Sequence, residues 1–116
     1  MLKFTSPYTG HKMDAAITRN LYVDGERLYV GMYTFDPADG FWEAWCDITV
    51  NLPDEPVTDE NCGYVDVNNA PYLPRFLEDN GLAEWTGKYG YSGFCQYPEF
   101  RFNIDRLDEH LIALPF

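Results

Sequence analysis

Ile17-Thr18-Arg19-Asn20-Leu21-Tyr22-Val23-Asp24-Gly25-Glu26-Arg27-Leu28-Tyr29-Val30-Gly31-Met32-Tyr33-Thr34-Phe35 is the stretch that decides the fold. Two runs rich in aliphatic, aromatic and β-branched residues, 17–23 and 26–35, flank Asp24-Gly25. That dipeptide accepts the positive φ angles of a two-residue type I′ turn, so the stretch predicts a β-hairpin. In the second run Leu28, Val30 and Met32 alternate with Tyr29, Tyr33 and Phe35, giving one aliphatic and one aromatic face. Outward from the hairpin, Asp36-Pro37-Ala38-Asp39-Gly40 predicts a second turn before a third strand, 41–51. An antiparallel meander of three strands follows. Period two then assigns Trp42, Ala44, Cys46, Ile48 and Val50 to the core and Phe41, Glu43, Trp45, Asp47 and Thr49 to the opposite face.

Beyond the meander, 52–62 holds two prolines and four acids with little periodicity, the composition of a solvated, mobile loop. A short extended piece at 64–67 leads to a helix capped by Asn68 or Asn69. Its stripe of Tyr72, Leu73, Phe76 and Leu77 would be buried, with Asn80-Gly81 as its stop. The Gly-rich stretch 87–93 reads as a turn that packs Tyr89, Tyr91 and Phe94 closely. It precedes a strand over 94–103 that Pro98 demotes to an edge or a bulge. A closing helix over 105–114 would bury Leu107, Leu111 and Leu114. The expected architecture is a single α+β domain, residues 1–116: an antiparallel β-meander with one or two short helices packed on the sheet.

The charge is one-sided. Within a formal net charge of -11, nine carboxylates and no lysine or arginine lie between Arg27 and Arg75: Asp36, Asp39, Glu43, Asp47, Asp54, Glu55, Asp59, Glu60 and Asp66. Such a field repels nucleic acid and anionic membranes and attracts proteins with basic grooves. It equally serves solubility. The 46% hydrophobic content exceeds that of a disordered acidic tail, and no segment approaches the ~20 apolar residues of a membrane span. With no signal-like N-terminal run, a cytoplasmic protein is the expectation.

Chemistry-bearing motifs are few. Gly87-x-x-Gly90-x-x-Gly93 lacks the Lys-Ser or Lys-Thr of a phosphate loop and enters a strand rather than a helix, so no nucleotide cofactor is expected. The acids of 54–60 do not follow the calcium-loop pattern, and Cys46, Cys62 and Cys95 fit no zinc template, so they are expected as free thiols and no metal is expected. No nucleophile signature surrounds the cysteines, His11 or His110. The candidate binding surface is instead Tyr29, Tyr33 and Trp45 beside Glu43 and Asp47, aromatic anchors with carboxylates, steered by Asp54, Glu55, Asp59 and Glu60. The same aromatics would also serve as cross-strand pairs or lie beneath a helix, and both readings stand at this level.

Asp47-Ile48-Thr49-Val50-Asn51-Leu52-Pro53, Tyr64-Val65-Asp66-Val67-Asn68-Asn69 and the run from Thr86 to Pro98, with its Ser92-Gly93-Phe94-Cys95-Gln96-Tyr97-Pro98, carry a resemblance. They resemble a family of small acidic proteins of unknown function, typical of conjugative and phage-derived elements of gut Firmicutes, over about residues 20–108. The resemblance implies an anti-defence context, anti-CRISPR or anti-restriction, and supplies no catalytic residues. Because aromatics interrupt the carboxylates, docking through hot spots suits the chain better than a phosphate-like ladder of a nucleic-acid mimic. The expected function is therefore that of a non-enzymatic inhibitor that binds a basic nucleic-acid-binding protein, such as a CRISPR effector nuclease, and competes with its nucleic acid. The alternative is a non-enzymatic adaptor or regulatory protein of a mobile element. A third reading is a small-ligand or metal-assisted enzyme.

Overall fold

The computed structural model describes residues 2–23 and 27–112. Among the described residues, eight strands form two antiparallel four-stranded sheets, and two short helices complete a β-rich α+β fold. The first sheet is a meander of β1 (Leu2–Thr5), β2 (Lys12–Leu21), β3 (Leu28–Asp36) and β4 (Phe41–Asp47), in that spatial order. The second sheet contains β5 (Thr49–Val50), β6 (Cys62–Val65), β7 (Ala83–Ser92) and β8 (Cys95–Phe102), ordered β5-β6-β8-β7. Between β6 and β7 lies α1 (Leu73–Asp79), and α2 (Ile104–Asp108) follows β8.

Strands β2 and β3 pair with Leu21 opposite Leu28, and the Tyr22 amide donates to the Arg27 carbonyl at 2.8 Å. This is the register that the hairpin expectation requires. The turn at Asp24-Gly25 itself lies outside the described residues. Leu28, Val30 and Met32 are buried, and Tyr29, Tyr33 and Phe35 occupy the half-buried other face, so period two reads β3 correctly.

The third expected strand is not one strand. Ile48, fully buried, is a corner at which the chain changes sheets: its amide donates to the Val30 carbonyl at 2.8 Å in the first sheet, and its carbonyl accepts the Asp66 amide at 2.9 Å beside the second. A β-bulge also breaks the period within β4. Met32 faces Cys46 but Tyr33 faces Ala44, which leaves Trp45 as the extra residue. Trp45 and Cys46 consequently both pack against the core, whereas Ala44 is exposed and Trp42 leans on Phe35 with ring centroids 5.4 Å apart. The core assignment thus holds for Ile48 and Cys46, fails for Trp42 and Ala44, and is only half met by Val50.

One cluster of buried side chains draws on both sheets and both helices, including Phe4, Ile17, Met32, Ile48, Leu77, Phe100 and Leu107. Leu73 and Leu77 are fully buried, each contributing about 1.5–3 kcal/mol over exposure. That packing sustains α1, which at seven residues is too short to persist alone. Its cap position is Tyr72, not Asn68 or Asn69, because Asp66 holds the Asn69 side chain at 2.8 Å in the preceding turn. The stop at Asn80-Gly81 is as expected, with Gly81 at φ +67°.

Strand β7 already spans much of the stretch read as a Gly-rich turn, and the real turn is Gly93-Phe94, with Gly93 at φ +60°. Tyr89, Tyr91 and Phe94 are exposed rather than packed together. Strand β8 is internal, not an edge. Pro98 is tolerated there because it lies just beyond the last β6 pair, Tyr64 with Glu99, and beside the irregularity between Trp85 and Tyr89. The closing helix is shorter than expected. After Asp108 the chain extends along β2, where the Ile17 amide donates to the His110 carbonyl at 2.7 Å and the Ile112 amide to the Ile17 carbonyl at 2.9 Å. Leu107 is buried and Leu111 largely exposed, while Leu114 lies outside the described residues.

Candidate functional site

The bulge that turns Trp45 inward builds the site. Its ring meets Phe4 of β1 edge-on at 5.2 Å, and its indole N–H donates to the Tyr72 hydroxyl at 2.8 Å, joining β4 to the start of α1. Phe4 also contacts Tyr72 and Phe76, with centroids 5.5 and 5.4 Å away. Over this cluster sits Tyr8, 73% exposed, its ring 6.1 Å from that of Trp45 and tilted by 32°. Tyr8 is held there by the closed 6–11 loop. The buried Ser6 hydroxyl accepts the Tyr8 and Thr9 amides, the Ser6 amide donates to the His11 carbonyl at 2.9 Å, and Gly10 turns the chain at φ +75°.

Two concavities flank the Tyr8–Trp45 pair. One, of about 390 Å³, is lined by Cys46, Asp47, Asp66, Asn69, Ala70 and Tyr72 as well as the pair itself. The other, of about 210 Å³, brings His11, Asp36, Asp39 and Glu43 to the same pair. Five carboxylates therefore surround an aromatic centre. The His11 imidazole reaches Asp36 at 3.5 Å; among the described residues, Asp39, Glu43, Asp47 and Asp66 have no ion pair. Burial pushes the Cys46 thiol up to about 11 and the Tyr72 phenol up to about 12, so both are protonated at neutral pH and neither is a ready nucleophile.

The nine expected binding residues separate into three places. Tyr29, Tyr33 and Asp47 share the outer face of the first sheet, where Tyr29 lies over Gly31, meets Tyr22 edge-on at 5.5 Å and donates to Asp47 at 2.7 Å. Burial, followed by that bond, raises the Tyr29 phenol well above its ordinary value. Glu43 and Trp45 belong instead to the concavities, because the bulge moves them off that face; Asp47 lies at the rim between the two. The expected single surface is corrected accordingly. Tyr8 and Tyr72 line the concavities without having been selected from the sequence, and Asp36, Asp39 and Asp66 were named there only as part of the acidic run. Tyr72 appeared only as a helix-stripe residue, and Tyr8 lies in a loop without periodicity.

Asp54, Glu55, Asp59 and Glu60 occupy the third place, and their loop is pinned rather than loose. Glu99 of β8, fully buried, accepts from the Thr58 amide at 2.8 Å, the Thr58 hydroxyl at 2.5 Å and the Thr86 hydroxyl at 2.8 Å, with the Lys88 ammonium 3.9 Å away. Burial alone would raise this carboxyl, but those bonds and Lys88 outweigh it and hold it below its ordinary range. Lys88 donates to the Pro56 carbonyl at 2.6 Å, the Tyr64 hydroxyl donates to the same carbonyl, and Arg27 donates to the Glu55 carbonyl at 2.7 Å. Asp59 pairs with Arg101 at 3.1 Å, so its charge is already answered. Asp54 and Glu60 stay exposed.

A larger concavity of about 570 Å³ lies between Glu78, Glu84, Arg101 and Asn103, but it has no comparable aromatic wall and its cation serves Asp59. A different surface is the β7–β8 hairpin. From Trp85 to Pro98 the only charged residue is Lys88, while Trp85, Tyr89, Tyr91 and the tip residue Phe94 are exposed. Among the described residues no three of His, Cys, Asp and Glu converge as for a metal ion, and no helix is long and apolar enough to cross a membrane.

Comparison of the chain with curated proteins and with solved structures found no match. The chain belongs to the family described as domain of unknown function DUF4313, matched over residues 16–112. That span includes Trp45, Asp47, Asp66 and Tyr72, whereas β1 and the loop bearing Tyr8 precede it.

Proposed function

We propose that this protein is a non-catalytic binding module that docks a basic protein through the acidic, aromatic concavities around Trp45. The observation that carries the reading is the arrangement of five carboxylates about Tyr8, Trp45 and Tyr72: Asp36 has the His11 imidazole 3.5 Å away, and among the described residues the other four have no ion pair. Aromatic side chains supply short-range affinity, and unpaired carboxylates supply steering and register. Nucleic-acid-handling proteins are the partner class that best matches such a field, since they present clustered lysine and arginine. The specific form we propose is an inhibitor that competes with nucleic acid, of the anti-CRISPR kind implied by the sequence resemblance.

The test is a titration against basic nucleic-acid-binding proteins, a CRISPR effector nuclease among them, each with and without its guide RNA or DNA. Binding to the unloaded protein should weaken as salt rises. The double reversal Asp39→Lys with Glu43→Lys should slow association about tenfold while thermal melting confirms the fold. A partner whose affinity ignores both salt and the reversals would refute the reading. The exposed aromatic hairpin favours a second reading, an adaptor that uses two chemically different surfaces. Binding that persists when the partner already holds nucleic acid would support it over competition.

A further inference from the structure

We propose that the concavity of about 390 Å³ between Tyr8, Trp45, Tyr72, Asp47 and Asp66 receives an arginine side chain of the partner; this rests on the docking function proposed above and names what the site takes. The volume falls within the ~300–1,000 Å³ of ligand sites. Its lining joins the aromatic rings of Tyr8, Trp45 and Tyr72 and the uncharged Cys46 and Ala70 to two carboxylates, Asp47 and Asp66.

Three features of the concavity choose among cations. The carboxylates are oriented by neutral donors, Tyr29 on Asp47 at 2.7 Å and Asn69 on Asp66 at 2.8 Å, which fix direction without cancelling charge. A carboxylate has roughly four acceptor positions, so each retains capacity for a further donor. Because no three ligating side chains converge among the described residues, a divalent ion lacks a coordination shell, and a larger organic cation fits better. Between the two basic side chains, lysine offers a compact, strongly hydrated point charge. Arginine offers a weakly hydrated plane that stacks on aromatic rings and a fork of N–H donors for carboxylates. Tyr8, mostly exposed and carried on its own loop, is the ring best placed to adjust over that plane.

The experiment uses the whole protein and small probes, so it needs no identified partner. N-acetyl-arginine amide is titrated into isotope-labelled protein and followed by NMR, beside the lysine, trimethyl-lysine and citrulline amides. The arginine probe should shift the Trp45 indole N–H and the Asn69 side-chain amide. It should bind at least about fivefold more tightly than the lysine probe. The neutral citrulline probe should produce no shift at these positions. Asp47→Asn and Asp66→Asn, which keep an acceptor for Tyr29 and Asn69, should each reduce the arginine response while leaving the rest of the spectrum in place. Equal binding of lysine, preference for trimethyl-lysine, or shifts confined to other parts of the surface would overturn the inference. In any of those cases the docking function still stands if charge reversal at Asp39 and Glu43 weakens a basic protein partner. It falls separately if no such partner responds.

Discussion

Replacing Glu99 with glutamine tests whether one buried carboxylate organises the acidic loop. Its oxygens receive the Thr58 amide, the Thr58 hydroxyl and the Thr86 hydroxyl inside a site with no solvent exposure. Glutamine keeps one oxygen for the two hydroxyls but turns an N–H₂ toward the Thr58 amide, so two donors face each other. The lost charge-assisted bond costs about 1.5–3 kcal/mol, and weakening the two hydroxyl bonds to neutral ones costs about 1 kcal/mol each. The sum, roughly 3–5 kcal/mol, matches the cost of removing one member of a buried ionic group. It should appear in urea unfolding as a lower midpoint with little change of slope, and as faster hydrogen exchange at the Thr58 amide. The sign of the pH dependence follows from the lowered carboxyl. Its stabilisation is fully present above the ordinary value of 4.5 and is lost as the pH falls through the lower folded value. The gap between wild type and Glu99→Gln should therefore be constant above the ordinary value of 4.5 and narrow as the pH falls below it toward the lower folded value. A gap under about 1 kcal/mol, or one indifferent to pH, would refute the reasoning.

Two further outcomes rest on separate contacts. Gly90→Ala would place a Cβ 2.6 Å from a ring carbon of Tyr64, which is fully buried with its hydroxyl tied to the Pro56 carbonyl, so destabilisation of about 1–3 kcal/mol is expected in thermal or urea melts; an unchanged melt would show that Tyr64 moves freely. Cys46 and Cys62 are pushed up to about 11 by burial while Cys95 is exposed, so a thiol reagent should rapidly modify one cysteine of the native protein, identified as Cys95 by mass spectrometry. Rapid modification of Cys46 or Cys62 would contradict the packing described.

Local pattern determined a good deal. Alternation in 28–35 identified which face of β3 is buried, alternation in 41–51 put Ile48 on a buried face, and the stop at Asn80-Gly81 was legible because a helix stop is written in adjacent residues. The charge asymmetry, and with it the acidic character of the site, was equally a property of the chain alone. The division into two sheets was not, because the corner at Ile48 is made by bonds to Val30 and Asp66, distant partners that period two cannot register. The one-residue bulge at Trp45 likewise has no compositional signal, yet it reverses which side of β4 faces the core, since in a strand a shift of one residue exchanges the faces. For the same reason only the tertiary structure decided that Trp45 meets Tyr8 and Tyr72, and that Glu99 holds a loop whose composition alone reads as solvated: both arrangements join segments far apart in sequence through contacts that exist only once the sheets are assembled.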